Sequence, residues 1–375
     1  MMTVRNCMLC VALAGLVPAC TPSVVQGTTQ TPAHDVGSGR MPMANPPLIQ
    51  AVWPAKTREH IDLWLHSYAL ITQDTTLIPY FRRGYANRVN GVRRQRGVTS
   101  LIDTNRAQLL ARIAVEPSLS TNGQFLPMYY TSWEQMRGMI DLFVRSNGDP
   151  GSRADQITRA NFGVLGSAFP TAADREWLRL FTASVDDESI KFHHGYWTSE
   201  SASRAAVIGH ADSLWQRQWR PALQRFLNNT QQQNGDLYLS FPLGGEGRTV
   251  HYDAEHAVAG PMPESAAESE SILYVMAHEI MGVIASQAIA DNTTPADQRS
   301  GGTARYEQPA AVRAGALLLE RTVPLAVNGY MRFYLLQAGK ASPTNPRDAF
   351  AAAFPITDAM RDTIIRQLDV ILGGI

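Results

Sequence analysis

Apolar residues recur at helical spacing through most of the chain beyond residue 50, and the period shortens only once, between about 236 and 256. Ile61, Trp64, Leu65 and Tyr68 share one face, which predicts a helix over 58–71 with Thr57 as its cap. A helix is also predicted over 102–115, and another over 132–144, where Thr131 and Glu134 are spaced as a capping box. Asn147-Gly148-Asp149-Pro150 is a stop and turn. Thr171 and Asp174 then open a helix carrying Trp177, Leu178 and Phe181. The run Phe192-His193-His194-Gly195-Tyr196-Trp197 reads as extended or irregular, and helix resumes over 201–228 with a restart near Pro221.

Where the period shortens, 236–241 and 248–256 read as two strands about a Gly244-Gly245-Glu246-Gly247 turn, a small antiparallel sheet. That glycine cluster joins strands rather than opening a helix and lacks the lysine of a phosphate-binding loop. The most apolar helix after the leader spans 269–290, and its apolar residues cover more than one face, as a helix packed on several sides requires. Downstream, a helix from about 310 carries Glu320, Pro324 interrupts before a helix over 325–336, and a last helix from Thr357 aligns Met360, Ile364 and Leu368.

The amino terminus has a different pattern. Arg5 precedes an uncharged run from Cys7 to Val17, shorter than the roughly 20 apolar residues that span a bilayer. Residues 1–19 therefore read as a signal peptide. The run ends in Val17-Pro18-Ala19-Cys20, which resembles the lipobox of bacterial lipoproteins, and the resemblance implies lipid on Cys20. Thr21 and Pro22 follow, with no Asp at the next position; by the same resemblance the anchor lies in the outer membrane, facing the periplasm. The three cysteines are Cys7, Cys10 and Cys20, so no disulfide, thiolate metal site or cysteine nucleophile is available to the mature domain. Residues 20–48 are rich in Pro, Thr, Ser, Gly and Gln and read as a lipidated terminus and flexible tether.

Residues 49–375 suffice for a single mainly helical domain of α+β class. Net charge is zero with the signs interspersed, which argues against a nucleic-acid partner. The basic run of Arg82, Arg83, Arg88, Arg93, Arg94 and Arg96 reads as a solvated face, as does the acidic run Asp186-Asp187-Glu188. The nucleophile-elbow pattern G-x-S-x-G is absent.

One constellation suggests chemistry. The apolar helix over 269–290 contains Ala277-His278-Glu279-Ile280-Met281-Gly282, and burying either polar group alone is costly. With a strand pair before it and helices after it, this His-Glu helix resembles the zincin metallopeptidases. The resemblance implies zinc, with His278 as a ligand and Glu279 as general base. A second histidine belongs four residues on, on the same helical face, and Gly282 stands there. By likeness to the gluzincin branch Glu320 would be a further ligand. A third must come from elsewhere, with His256 preferred, then His60, over His66, His193, His194 and His251. The expectation is a degenerate zincin-like scaffold that binds a peptide, glycan or envelope protein, or else an active zinc hydrolase with a rearranged ligand set.

Overall fold

The computed structural model describes residues 52–72, 77–252 and 255–373; the leader, Cys20 and the tether lie outside the described residues. Strand β1 (Ala55–Lys56) leads into helix α1 (Glu59–Ile71), in which every residue from His60 onward is buried. Arg58, not Thr57, takes the cap position and makes no side-chain bond. Glu59 and Asp62 instead set negative charge in the first turn, where it complements the helix dipole. Helices α2 (Tyr85–Gln95), α3 (Leu101–Val115), α4 (Trp133–Arg145), α5 (Gln156–Ala168) and α6 (Ala172–Glu188) follow. The capping box at Thr171 and Asp174 is present. At α4 the cap is Ser132, which accepts from the Gln135 amide at 3.2 Å; Thr131 instead bonds the Gln135 side chain.

The segment read as irregular is helical. A π-helical turn over Ser189–His193 continues α6 into α7 (His194–Ser203). Helix α8 (Ala205–Leu214), a second π turn (Trp215–Trp219) and α9 (Arg220–Asn229) complete the run. The π turns shift the register of buried side chains by about one residue, so a 3.6-residue template loses the pattern there. Phe192 and Tyr196 nonetheless stack at 5.1 Å, as neighbours one turn apart should.

The sheet is mixed rather than antiparallel. β2 (Gly235–Ser240), β3 (Arg248–Tyr252) and β4 (Glu255–Pro261) join β1 in the order β1-β2-β4-β3. β1 and β4 run parallel to β2, and only β3 is antiparallel, against β4. The stretch read as one strand, 248–256, belongs to two, β3 and β4, and the sequence between them, Asp253-Ala254, holds no glycine or proline to announce the break. Central β4 is buried on both faces at Ala257, Val258 and Ala259, which explains its lack of alternation.

Helix α10 (Glu270–Glu279) packs on this sheet, and α11 (Gly282–Asp291), α12 (Pro295–Ser300), α13 (Ala304–Thr322), α14 (Val327–Gln337), α15 (Arg347–Ala353) and α16 (Asp358–Gly373) build the rest. Ala266–Asp291 is long and apolar enough to cross a membrane, but 72% of its most apolar window is buried inside the domain. The predicted single helix is broken. Met281 N–H turns back to His278 O, a tight turn that ends α10. Gly282 starts the next helix, and a side chain built there meets nothing within 4 Å. The described residues form one mainly helical domain around a contiguous core.

Candidate functional site: a buried Glu-His-Glu triad

Three elements converge on His278. It sits in the last turn of α10 beside Glu279, and the loop between β2 and β3 brings Glu246 to its other side. The glycines flanking Glu246 are there for close approach. A Cβ on Gly245 would meet Gln337 Cγ at 2.5 Å, and one on Gly247 would meet Ala259 O at 2.4 Å and Val275 Cγ1 at 2.5 Å. Only backbone fits between α10, α14 and β4, and the one side chain in that stretch that can point inward is the carboxylate. Across the site, a Cβ on Gly315 of α13 would lie 2.2 Å from the Tyr330 hydroxyl and 3.2 Å from His278 Cα.

The imidazole lies between two acids. His278 Nδ1 is 3.0 Å from Glu279 Oε1, and Nε2 is 3.8 Å from Glu246 Oε1. Side-chain exposures are 5% for His278, 8% for Glu246 and 11% for Glu279. Neither ring nitrogen makes an aligned hydrogen bond, so proximity and charge hold the ring, not directed donors. Thr249 donates to Glu279 Oε2 at 3.0 Å and Gln308 to Glu246 Oε1 at 2.9 Å. Tyr334 packs beside the imidazole with ring centroids 5.6 Å apart.

Burial and charge set the protonation pattern. Burial alone would lower the His278 pKa, but Glu246 and Glu279 outweigh it and hold the imidazole above its ordinary value. Burial likewise pushes on Glu279, yet His278, Arg248 and Thr249 keep it below the usual carboxylate range. Glu246 goes the other way: desolvation, with Glu279 adding, lifts it to about 7 against the pull of His278 and Gln308. The two acids thus favour an imidazolium at His278 paired with the Glu279 carboxylate, while Glu246 is poised between its two forms near neutrality.

The other ligand candidates are elsewhere. Glu320 pairs with Arg347 at 2.6 Å. His256 directs Nε2 to Gln231 O at 3.0 Å and packs against His251, its partner across β3 and β4, at 4.3 Å. His60 reaches the carbonyls of Pro127 and Tyr130, His194 pairs with Glu59 at 2.9 Å, and neither approaches His278. Among the described residues, the ligand-type group at this site is Glu246, His278 and Glu279, whose donor atoms lie within 4.8 Å of one another. Glu246 was not a sequence candidate.

A second buried network overturns two surface assignments. Glu188 is fully buried: its carboxylate accepts from Ser100 and Arg93 and lies 3.1 Å from His66 Nε2, while Tyr85 contacts the other ring nitrogen at 3.0 Å. Arg93, counted in a solvated face, is buried and also pairs with Asp103 at 2.6 Å. Desolvation opposes the Glu188 charge, but His66, Ser100 and Arg93 win and hold its pKa low. These contacts tie α1, α2 and α3 to the end of α6. Nearby His193 is buried with Nδ1 unpartnered among the described residues, and burial drives its pKa well down, keeping it neutral. No protein family, curated protein or solved structure matches the chain.

Proposed function

We propose that this chain is an envelope lipoprotein whose zincin-like core serves a binding or structural role, with the Glu246–His278–Glu279 triad in place of an open catalytic zinc site. The observation that carries this reading is that both ring nitrogens of His278 face carboxylates inside the core. A catalytic zinc needs three protein ligands and a fourth position open to substrate. Here Glu320, His256 and Gly282 contribute nothing at His278, and Glu279, the expected general base, is itself held against the ring. Order along the chain supports the zincin-like assignment: a mixed sheet, the His-Glu helix packed on it, then a helical half. The lipid anchor on Cys20 rests on the leader, and Cys20→Ala should move the protein from the membrane to the soluble envelope fraction or leave it unprocessed. Unchanged membrane fractionation would refute the anchor.

One observation favours a second reading. Three donor atoms within 4.8 Å, with neither imidazole nitrogen aligned to a partner, also fit a divalent cation after small side-chain adjustments. Glu246, His278 and Glu279 would then be its ligands, and a bound zinc would supply Lewis-acid chemistry at the end of α10. Elemental mass spectrometry of folded protein, dialysed without chelator and then offered zinc, separates the two. The triad reading expects no stoichiometric zinc and a His278 ring that titrates above 6.5 by NMR. Near-stoichiometric zinc, lost in both His278→Ala and Glu246→Gln, would overturn it.

A further inference from the structure

Away from the triad, α13, α14 and α15 border a cavity of about 210 Å³ that opens to solvent. Its floor is apolar, made by buried Ala316, Met331 and Phe350. Charged groups surround this floor: Arg313, Glu320, Arg347 and Asp348. Glu320 is already neutralised by Arg347 at 2.6 Å. Arg313 is different. Its guanidinium lies over the Phe350 ring, 5.8 Å from the centroid, and makes no hydrogen bond or ion pair among the described residues. Burial disfavours its charge, Arg361 adds to that, and Glu320 offsets only part.

A half-buried guanidinium with no acceptor leaves five donors directed by a rigid fork, which suits a carboxylate in two-point contact. The apolar floor excludes a fully hydrated ion as the best occupant, because its hydration would be stripped with nothing to replace it. Cavities of comparable size enclose a single small ring, so the occupant has about six to ten heavy atoms. We propose that this cavity is a binding site for a small carboxylate with an apolar body, its carboxylate on Arg313 and its hydrocarbon on Ala316, Met331 and Phe350. This site is independent of the triad and stands whether or not a metal binds there.

Titration of the full chain with isocaproate, followed by calorimetry or ligand-observed NMR, tests it. Saturable binding is expected, with a Kd on the order of a millimolar for so small a ligand. Isoamylamine and inorganic phosphate should fail to bind, since one lacks the carboxylate and the other the apolar body. Arg313→Gln should weaken isocaproate about tenfold or more, and Arg313→Lys should restore part of it. Ala351→Phe, which fills the mouth from an exposed wall position, should block binding and carries the test alone if Arg313→Gln does not fold. Arg179→Gln, an exposed arginine outside the cavity, should bind as wild type. No saturable isocaproate binding, equal binding of isoamylamine or phosphate, or wild-type affinity in either folded Arg313→Gln or folded Ala351→Phe would overturn the proposal.

Discussion

Replacing Glu246 with Gln removes the one member of the triad whose charge the fold disfavours. Burial, with Glu279 adding, raises its pKa from 4.5 to about 7. For an acid, a raised folded value means that the folded state binds the proton more tightly than the unfolded chain does. Its effect on stability is therefore neutral below about 4.5, becomes unfavourable as pH rises, and levels off above the folded value. At about 1.4 kcal/mol per pH unit, the interval from 4.5 to about 7 amounts to about 3 kcal/mol. His278 contributes in the same direction. Its folded pKa is raised, so its stabilisation is fully present below about 6.5 and is lost as pH rises through the folded value. The substituted amide keeps an oxygen to accept from Gln308 and does not titrate. Urea denaturation should show Glu246→Gln gaining on wild type by about 2–3 kcal/mol between about pH 5 and about pH 8. A difference between the two proteins that stays constant with pH would refute the buried-acid argument. A variant that loses stability at the higher pH would point to a ligand lost with the carboxylate.

Two further perturbations test the packing that holds the triad. Gly315→Ala drives a methyl into the Tyr330 hydroxyl, which is fixed by a 2.8 Å bond to Val312 O, so overpacking outweighs the helix-propensity gain and denaturation should show a loss of about 1–3 kcal/mol. Tyr330→Phe in the same chain should recover part of that loss, whereas a stabilised Gly315→Ala would mean that α13 does not approach Tyr330 of α14 this closely. Glu188→Ala leaves Arg93 and His66 without their shared buried carboxylate and should cost about 3–5 kcal/mol near neutral pH. Because the Glu188 pKa is held low, that cost should shrink as pH falls below about 4.5 toward the folded value, and a cost independent of pH would refute the ion-pair account.

Helices were legible wherever one face is apolar and the ends carry local signals, as at Thr171 and Asp174, whose capping box is a contact between residues three apart. Local reading failed at one register shift inside a helix: the π turn at Ser189–His193 inserts a residue without any glycine or proline to announce it, whereas the second, at Trp215–Trp219, lies in a stretch whose helical pattern was read correctly. Strand direction failed for a related reason: alternation reports which side chains are buried but carries no information on the neighbour. β2 looks the same in sequence whether paired with β3 or, as here, parallel with β4.

The site divides along the same line. His278 and Glu279 stood out because a charged pair inside an apolar helix needs compensation, and that anomaly is visible within a few residues. What compensates them comes from Glu246, 32 positions earlier by the numbering, in a loop whose glycines read as a simple turn. Those glycines were the available signal. Of Gly244, Gly245 and Gly247, none has a left-handed backbone, so conformational freedom does not explain them, whereas contacts of 2.4–2.8 Å at a notional Cβ of Gly245 and Gly247 do. A glycine cluster that is not needed for a turn marks a backbone pressed against other elements, and a lone acid inside it is delivered into the interior. The acidic and basic runs show the converse. Asp186, Asp187 and Glu188 are adjacent in sequence, yet helical geometry turns the third by two steps of about 100° from the first. Glu188 thereby enters the core while Asp186 meets Trp133 and Arg137 near the surface. Charge runs on helices are thus read one residue at a time, and the member on the apolar face is the one that will be found paired.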